Sequence, residues 1–87
     1  MIVTTHRSFD KMYKKLSDDV REAFRRRKDL FIENPFHPLL ANHHLTGDWE
    51  GSRSINVTGD YRAIYTPVGY DQAVFIAIGT HHQLFGS

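Results

Sequence analysis

The stretch from His43 to Tyr65, taken with the tail from Gly79 to Ser87, gathers His43, His44, Trp49, Arg53, Asn56, Asp60, Arg62, His81 and His82. These are groups that move protons or hold phosphates. An imidazole has a reference pKa of about 6.5, so it supplies both an acid and a base near neutrality. Arg53 and Arg62 bring forked donors that match phosphate oxygens, and Asp60 is a second source of basicity. A chain of 87 residues needs no such density of polar chemistry in order to fold, and the cluster marks a candidate active site.

Six histidines also raise the question of metal binding. Neighbouring residues on a strand point to opposite faces, so His81 and His82 are poorly placed to share an ion. No carboxylate has the spacing of an H-E-x-x-H site, and the absence of cysteine removes every thiolate site. The expectation is chemistry without a metal or other cofactor.

Elements at both ends must position these groups. Met1 to Thr5 is β-branched enough for a short strand. Ser8 fits an N-cap, and Phe9, Met12, Tyr13 and Leu16 form one apolar helix face. Ser17 is placed to cap a second helix, with Asp18 and Asp19 in its first turn and Val20, Ala23, Phe24, Leu30 and Phe31 as its buried stripe. Asn34-Pro35 should end it, because proline disfavours helical geometry in the preceding residue. Phe36 to Glu50 reads as irregular. Strands follow at Ser52 to Val57, Asp60 to Thr66 and Ala73 to His81, the last apolar enough to be covered on both faces. The order is β-α-α-β-β-β, an α+β fold in which two N-terminal helices pack on one face of an antiparallel sheet and the other face is open for function.

The first hairpin decides which side chains meet. A three-residue Val57-Thr58-Gly59 loop with left-handed Gly59 sets Asn56 opposite Asp60 and Ser54 opposite Arg62, all on one face. Ile55, Tyr61, Ala63 and Tyr65 then face the helices. A two-residue Thr58-Gly59 turn would instead pair Asn56 with Tyr61 and separate it from Arg62. The first register segregates polar from apolar more cleanly and is the one expected.

Length bounds the rest. Residues 1–87 make a single small domain, and a domain of this size hides only about two-thirds of the surface its unfolded chain exposes. Alone it should be only marginally stable, and a stabilising partner is expected. The lack of cysteine fits a reducing cytoplasm, and neither a signal-like N-terminus nor a run of roughly 18 apolar residues is present. A soluble, cytoplasmic protein with no membrane role is expected. Net charge is +1, yet Lys11, Lys14, Lys15, Arg21, Arg25, Arg26, Arg27 and Lys28 crowd the first third. Such a patch suits a phosphate backbone or an acidic protein.

The run Asn42 to Arg53 (N-H-H-L-T-G-D-W-E-G-S-R), the segment Asp60 to Tyr65 (D-Y-R-A-I-Y) and the ending Gly79 to Gly86 (G-T-H-H-Q-L-F-G) carry a family resemblance. The chain resembles the RelE/ParE superfamily of bacterial toxins from type II toxin-antitoxin systems, most closely its YafQ-like ribonuclease branch. The likeness spans essentially the whole domain. It implies an mRNA interferase: an endoribonuclease that cuts message on the ribosome and is held inactive by a cognate antitoxin, in a toxin-antitoxin hetero-oligomer. It also implies that His43, Asp60 and His81 match catalytic positions and that Phe85 matches an aromatic near the RNA site. Asn56 stands where that branch tends to have another histidine, and Arg62 stands where the RelE and YoeB types place an arginine.

Metal-free RNA cleavage needs a base for the ribose 2'-hydroxyl, a donor for the phosphorane oxygens and an acid for the leaving 5'-oxygen. The expected roles are His81 as acid, His43 or Asp60 as base or orienter of the base, and Arg62 as clamp. Arg62 itself should be ion-paired, with Asp60 for instance, or face phosphate. Arg53, Asn56, Phe85 and Trp49 are the expected substrate-binding residues. For Trp49 the competing role is packing the loop on the sheet. Two other readings suit the same fold: a ParE-like topoisomerase poison, which needs no acid-base groups, and a catalytically inactive antitoxin-binding relative, which Asn56 keeps in play.

Overall fold

Phe75 sits at the centre of an aromatic core that explains how the layers close. Its ring lies 5.9 Å from Phe9, 5.3 Å from Phe24, 5.5 Å from Phe31 and 5.4 Å from Tyr65. These contacts join both long helices to the sheet in a computed structural model that describes residues 1–86. Ser87, the end of the tail stretch singled out above, lies outside the described residues.

The strands are β1 (Ile2–Thr5), β2 (His43–His44), β3 (Arg53–Asn56), β4 (Tyr61–Val68) and β5 (Gln72–Thr80). The helices are α1 (Arg7–Lys14), α2 (Asp18–Glu33) and a short α3 (His81–Phe85). Sheet order is β1-β5-β4-β3-β2. The expected α+β architecture is present, with helices over one face and the Ile55, Ala63 and Tyr65 side of the hairpin in the core.

Several details differ from the sequence reading. The sheet is mixed, because β1 runs parallel to β5. Parallel neighbours need a long connection, and the helices and strands between these two supply it. His43–His44 forms a two-residue edge strand rather than irregular loop. His81 leaves the last strand and begins a helix, since Thr80 and Gln83 form a reciprocal capping box. His81 and His82 are thus helical neighbours, not strand neighbours.

The N-cap of α1 is His6, whose Nδ1 accepts the Ser8 amide at 3.0 Å. Ser8 lies inside the helix and donates its hydroxyl to the Ile76 carbonyl at 2.7 Å, fastening α1 to β5. Ser17 does cap α2, accepting the Val20 amide at 3.4 Å, and Asn34 ends it as expected.

The sheet face away from the long helices is less open than expected. Ser54, Ile64 and Ala77 are buried there. Helix α3 folds back over Gly79, where a Cβ would stand 2.9 Å from Gln83 Oε1 and 3.6 Å from Leu84. Trp49, in a short turn over Gly47–Trp49, donates its indole N–H to the Leu84 carbonyl at 3.1 Å. No helix among the described residues is long and apolar enough to cross a membrane.

Candidate active site

The β3–β4 hairpin is built around Thr58. Its hydroxyl accepts the Asp60 and Tyr61 amides at 3.3 and 3.1 Å, and the Val57 amide donates to the Tyr61 carbonyl at 2.9 Å. The turn therefore closes without a left-handed glycine at position 59. Val57, only 2% exposed, is drawn into the core and extends the hairpin by one pair. The register that results sets Asn56 opposite Arg62 and Ser54 opposite Ile64, two residues from the one expected. Faces survive a shift of two, so Asn56 and Arg62 still share the side away from the long helices.

Arg62 is neither ion-paired to Asp60 among the described residues nor simply turned outward. Its Nη1 donates to the carbonyls of Thr58, Gly59 and Tyr61 at 3.0, 3.1 and 3.1 Å. A guanidinium carries five N–H donors, so this bonding fixes the group while Nε and Nη2 keep others for a ligand. Thr58 was not singled out in the sequence, and nothing in its local pattern distinguishes it from an ordinary turn threonine.

The tail is fastened to this turn. The His81 amide donates to the Asp60 carbonyl at 3.1 Å, and Thr80 pairs with Tyr61 across the β4–β5 ladder. The His81 ring lies 4.9 Å from that of Phe85. Asn56, Asp60, Arg62, His81 and Phe85 are accordingly neighbours at one end of the sheet. His81 and Asp60 are exposed, while Arg62 and Asn56 are half-buried.

His43 reaches the same face by a different route. It pairs with Ser54 across β2 and β3, which sets it about 7 Å along the strand from the Asn56 level. Its Nδ1 lies 2.8 Å from the Ala41 carbonyl. A carbonyl only accepts, so in the neutral ring Nδ1 carries the proton and Nε2 keeps the basic lone pair. Arg53 is not brought to this group. It pairs with Tyr65 and His44, on the helix side; its Nε donates to Asn42 Oδ1 at 2.8 Å and its guanidinium stacks 5.3 Å from the Phe36 ring centre. The alternation of faces along β3 was the available signal: Arg53 and Asn56 differ in parity.

Trp49 serves the packing role through its bond to Leu84, yet it also lines a pocket of about 470 Å³ with Phe85. The basic run on α2 is largely engaged. Arg25 binds Glu22 at 2.6 Å and the Tyr13 hydroxyl at 3.1 Å, holding the exposed Glu22 carboxyl below the usual range. Arg26 approaches Glu22 at 3.8 Å, and Arg27 donates to the Leu39 carbonyl at 3.4 Å. Among the described residues no three His, Asp or Glu side chains converge as a metal site.

Residues 1–86 match the family model for YafQ, the bacterial toxin of type II toxin-antitoxin systems. A solved structure of YafQ from E. coli strain BL21(DE3) is 26% identical, covers 97% of each chain and superposes with a TM-score of 0.77. The toxin in the E. coli DinJ-YafQ toxin-antitoxin complex is 25% identical over 97% of this chain and 96% of that one, with a TM-score of 0.77. A YoeB/ParE toxin from Agrobacterium tumefaciens shares the fold at 21% identity, covering 93% and 99% of the two chains with a TM-score of 0.76. Comparison with curated protein sequences gives no significant match. With the family pattern matched from one end of the described chain to the other and the fold shared, the chain belongs to the YafQ family of bacterial toxins of type II toxin-antitoxin systems.

Proposed function

We propose that the protein is a ribosome-dependent endoribonuclease that cleaves mRNA in the bacterial cytoplasm and is silenced by a cognate antitoxin. The observation that carries this reading is the fastening of His81 to the Asp60 end of the hairpin, beside Arg62. An acid, a carboxylate and a cation then stand where one phosphodiester can meet all three.

In the proposed reaction the ribose 2'-hydroxyl loses its proton to a base and its oxygen attacks the adjacent phosphorus. The 5'-oxygen leaves with a proton from His81, giving a 2',3'-cyclic phosphate and a 5'-hydroxyl. Arg62 holds the non-bridging oxygens as charge gathers on them, with the turn carbonyls keeping the guanidinium in place. Two groups are candidates for the base. His43 has its basic Nε2 defined by the Ala41 contact, and Asp60 is nearer His81 along the chain path. Asn56, opposite Arg62, is a neutral donor to the same phosphate. Residues of this chain account for every proton movement.

Transcript 5' ends mapped after brief induction test the reading, with wild type compared against His81→Ala. New cuts within translated messages that vanish in the variant are expected. Growth arrest with DNA damage and intact messages would instead make the chain a topoisomerase poison.

A further inference from the structure

The pocket between the Gly47–Trp49 turn and α3 has a chemistry that the cleavage step does not use. Its walls include Thr46, Asp48, Trp49, Gln83 and Phe85, and its volume is about 470 Å³. Two features set its ligand class. Trp49 and Phe85 supply aromatic surface, and the Trp49 ring is fixed by its bond to the Leu84 carbonyl. Flat π surfaces held in place are what unstacked bases use in single-strand binders. Asp48 is the only charged side chain among the described residues that line the pocket. A carboxylate repels phosphate, so the part of an RNA that enters must offer N–H donors instead.

We propose that this pocket receives the base of the nucleotide immediately 3' to the cut and that Asp48 selects guanine there. The proposal rests on the ribonuclease reading above. Phe85 lines the pocket and also lies against the His81 ring at 4.9 Å. The oxygen that His81 protonates belongs to the 3' nucleotide, whose base therefore falls on the Phe85 side. Guanine alone among the four bases presents two adjacent donors, N1–H and N2–H, on its pairing edge, and a carboxylate accepts both. Adenine and cytosine each set a ring acceptor beside one amino group, and uracil offers one N–H between two carbonyls. Gln83 completes the match. Its Oε1 is taken by the Thr80 amide at 2.8 Å, which leaves its amide N–H groups as donors for guanine O6.

Ribosomes programmed with messages that differ only at the nucleotide 3' to the cut provide the test, with cleavage rates measured for wild type, Asp48→Asn and Asp48→Ala. Wild type should cut the guanine message about tenfold or more faster than the adenine one, the discrimination a bidentate base contact supplies. The ratio should fall close to one in both variants. Inosine in place of guanine, which lacks the 2-amino group, should lower the wild-type rate without any change to the protein. A guanine preference that persists in Asp48→Ala, or inosine cut as fast as guanine, overturns the assignment while leaving the ribonuclease standing. No cleavage of any message by wild type removes both.

Discussion

The His81 amide donates to the Asp60 carbonyl at 3.1 Å, so the first residue of α3 and the tip of the β3–β4 hairpin are joined through backbone alone. Neither side chain is consumed by the link. The relative position of the two residues is set by main-chain geometry and by the Thr80–Gln83 capping box.

Because the link is made by the amide, His81→Ala should leave the fold intact and remove only the acid. Single-turnover cleavage on programmed ribosomes should slow by about 10² to 10⁴, the range for a positioned general acid. Circular dichroism and the unfolding midpoint should match wild type. A variant that cleaves normally would take His81 out of the mechanism.

As a phosphate clamp held by turn carbonyls, Arg62 would combine two roles that substitution can separate. Arg62→Lys keeps a charge and a donor for the turn carbonyls but loses the planar fork that matches phosphate oxygens, and cleavage should fall by about 10² to 10³. Arg62→Ala should in addition cost about 1 kcal/mol of stability, since its three hydrogen bonds lie at a half-buried, partly solvated turn. Urea unfolding reads the second effect and single-turnover kinetics the first. Equal stability of the two variants would show that the carbonyl contacts are structurally idle.

Asn56 and Arg62 are cross-strand partners, with Cβ atoms expected about 4.5 to 5.5 Å apart. An imidazole at position 56 would therefore enter the site as an added proton acceptor. Asn56→His should raise the cleavage rate, and Asn56→Ala should lower it by less than His81→Ala does. A rate unchanged by both would place Asn56 outside the substrate's reach.

The helix pair and the faces of the hairpin were legible in the sequence, because periodicity and parity are local properties, as were the candidate groups that the fold brings to one end of the sheet. The sequence did not show what long-range contacts decide. The parallel β1–β5 pairing joins opposite ends of the chain. The hairpin register depends on Val57 being pulled into the core and on Thr58 replacing a glycine turn. Arg53 looked like a site cation until its helix-side parity gave it to Asn42 and Phe36. The turn from strand to helix at His81 was legible in principle from Thr80-x-x-Gln83, which the apolar run before it obscured.

Phe75 touches four other rings, and the domain has little stability to spare. A core Phe→Ala change costs about 3 to 5 kcal/mol, against a total of about 4 to 13 kcal/mol for a chain this long. Phe75→Ala should be mostly unfolded or strongly destabilised when purified alone. If urea unfolding showed a loss under about 1 kcal/mol, the core would not be organised around this ring.

Trp49 is where fold and site meet, since one hydrogen bond to the Leu84 carbonyl secures the helix that carries His81 and Phe85. Trp49→Phe keeps most of the aromatic surface and deletes the donor. Overall stability should drop by about 1 kcal/mol, but α3 should loosen more than the rest. Its amides should lose hydrogen-exchange protection while those of β4 and β5 keep theirs. Cleavage should fall further than the stability change alone explains, because His81 no longer keeps its place beside Arg62. Uniform loss of protection across the sheet would mean that Trp49 supports the whole domain and holds no special relation to α3.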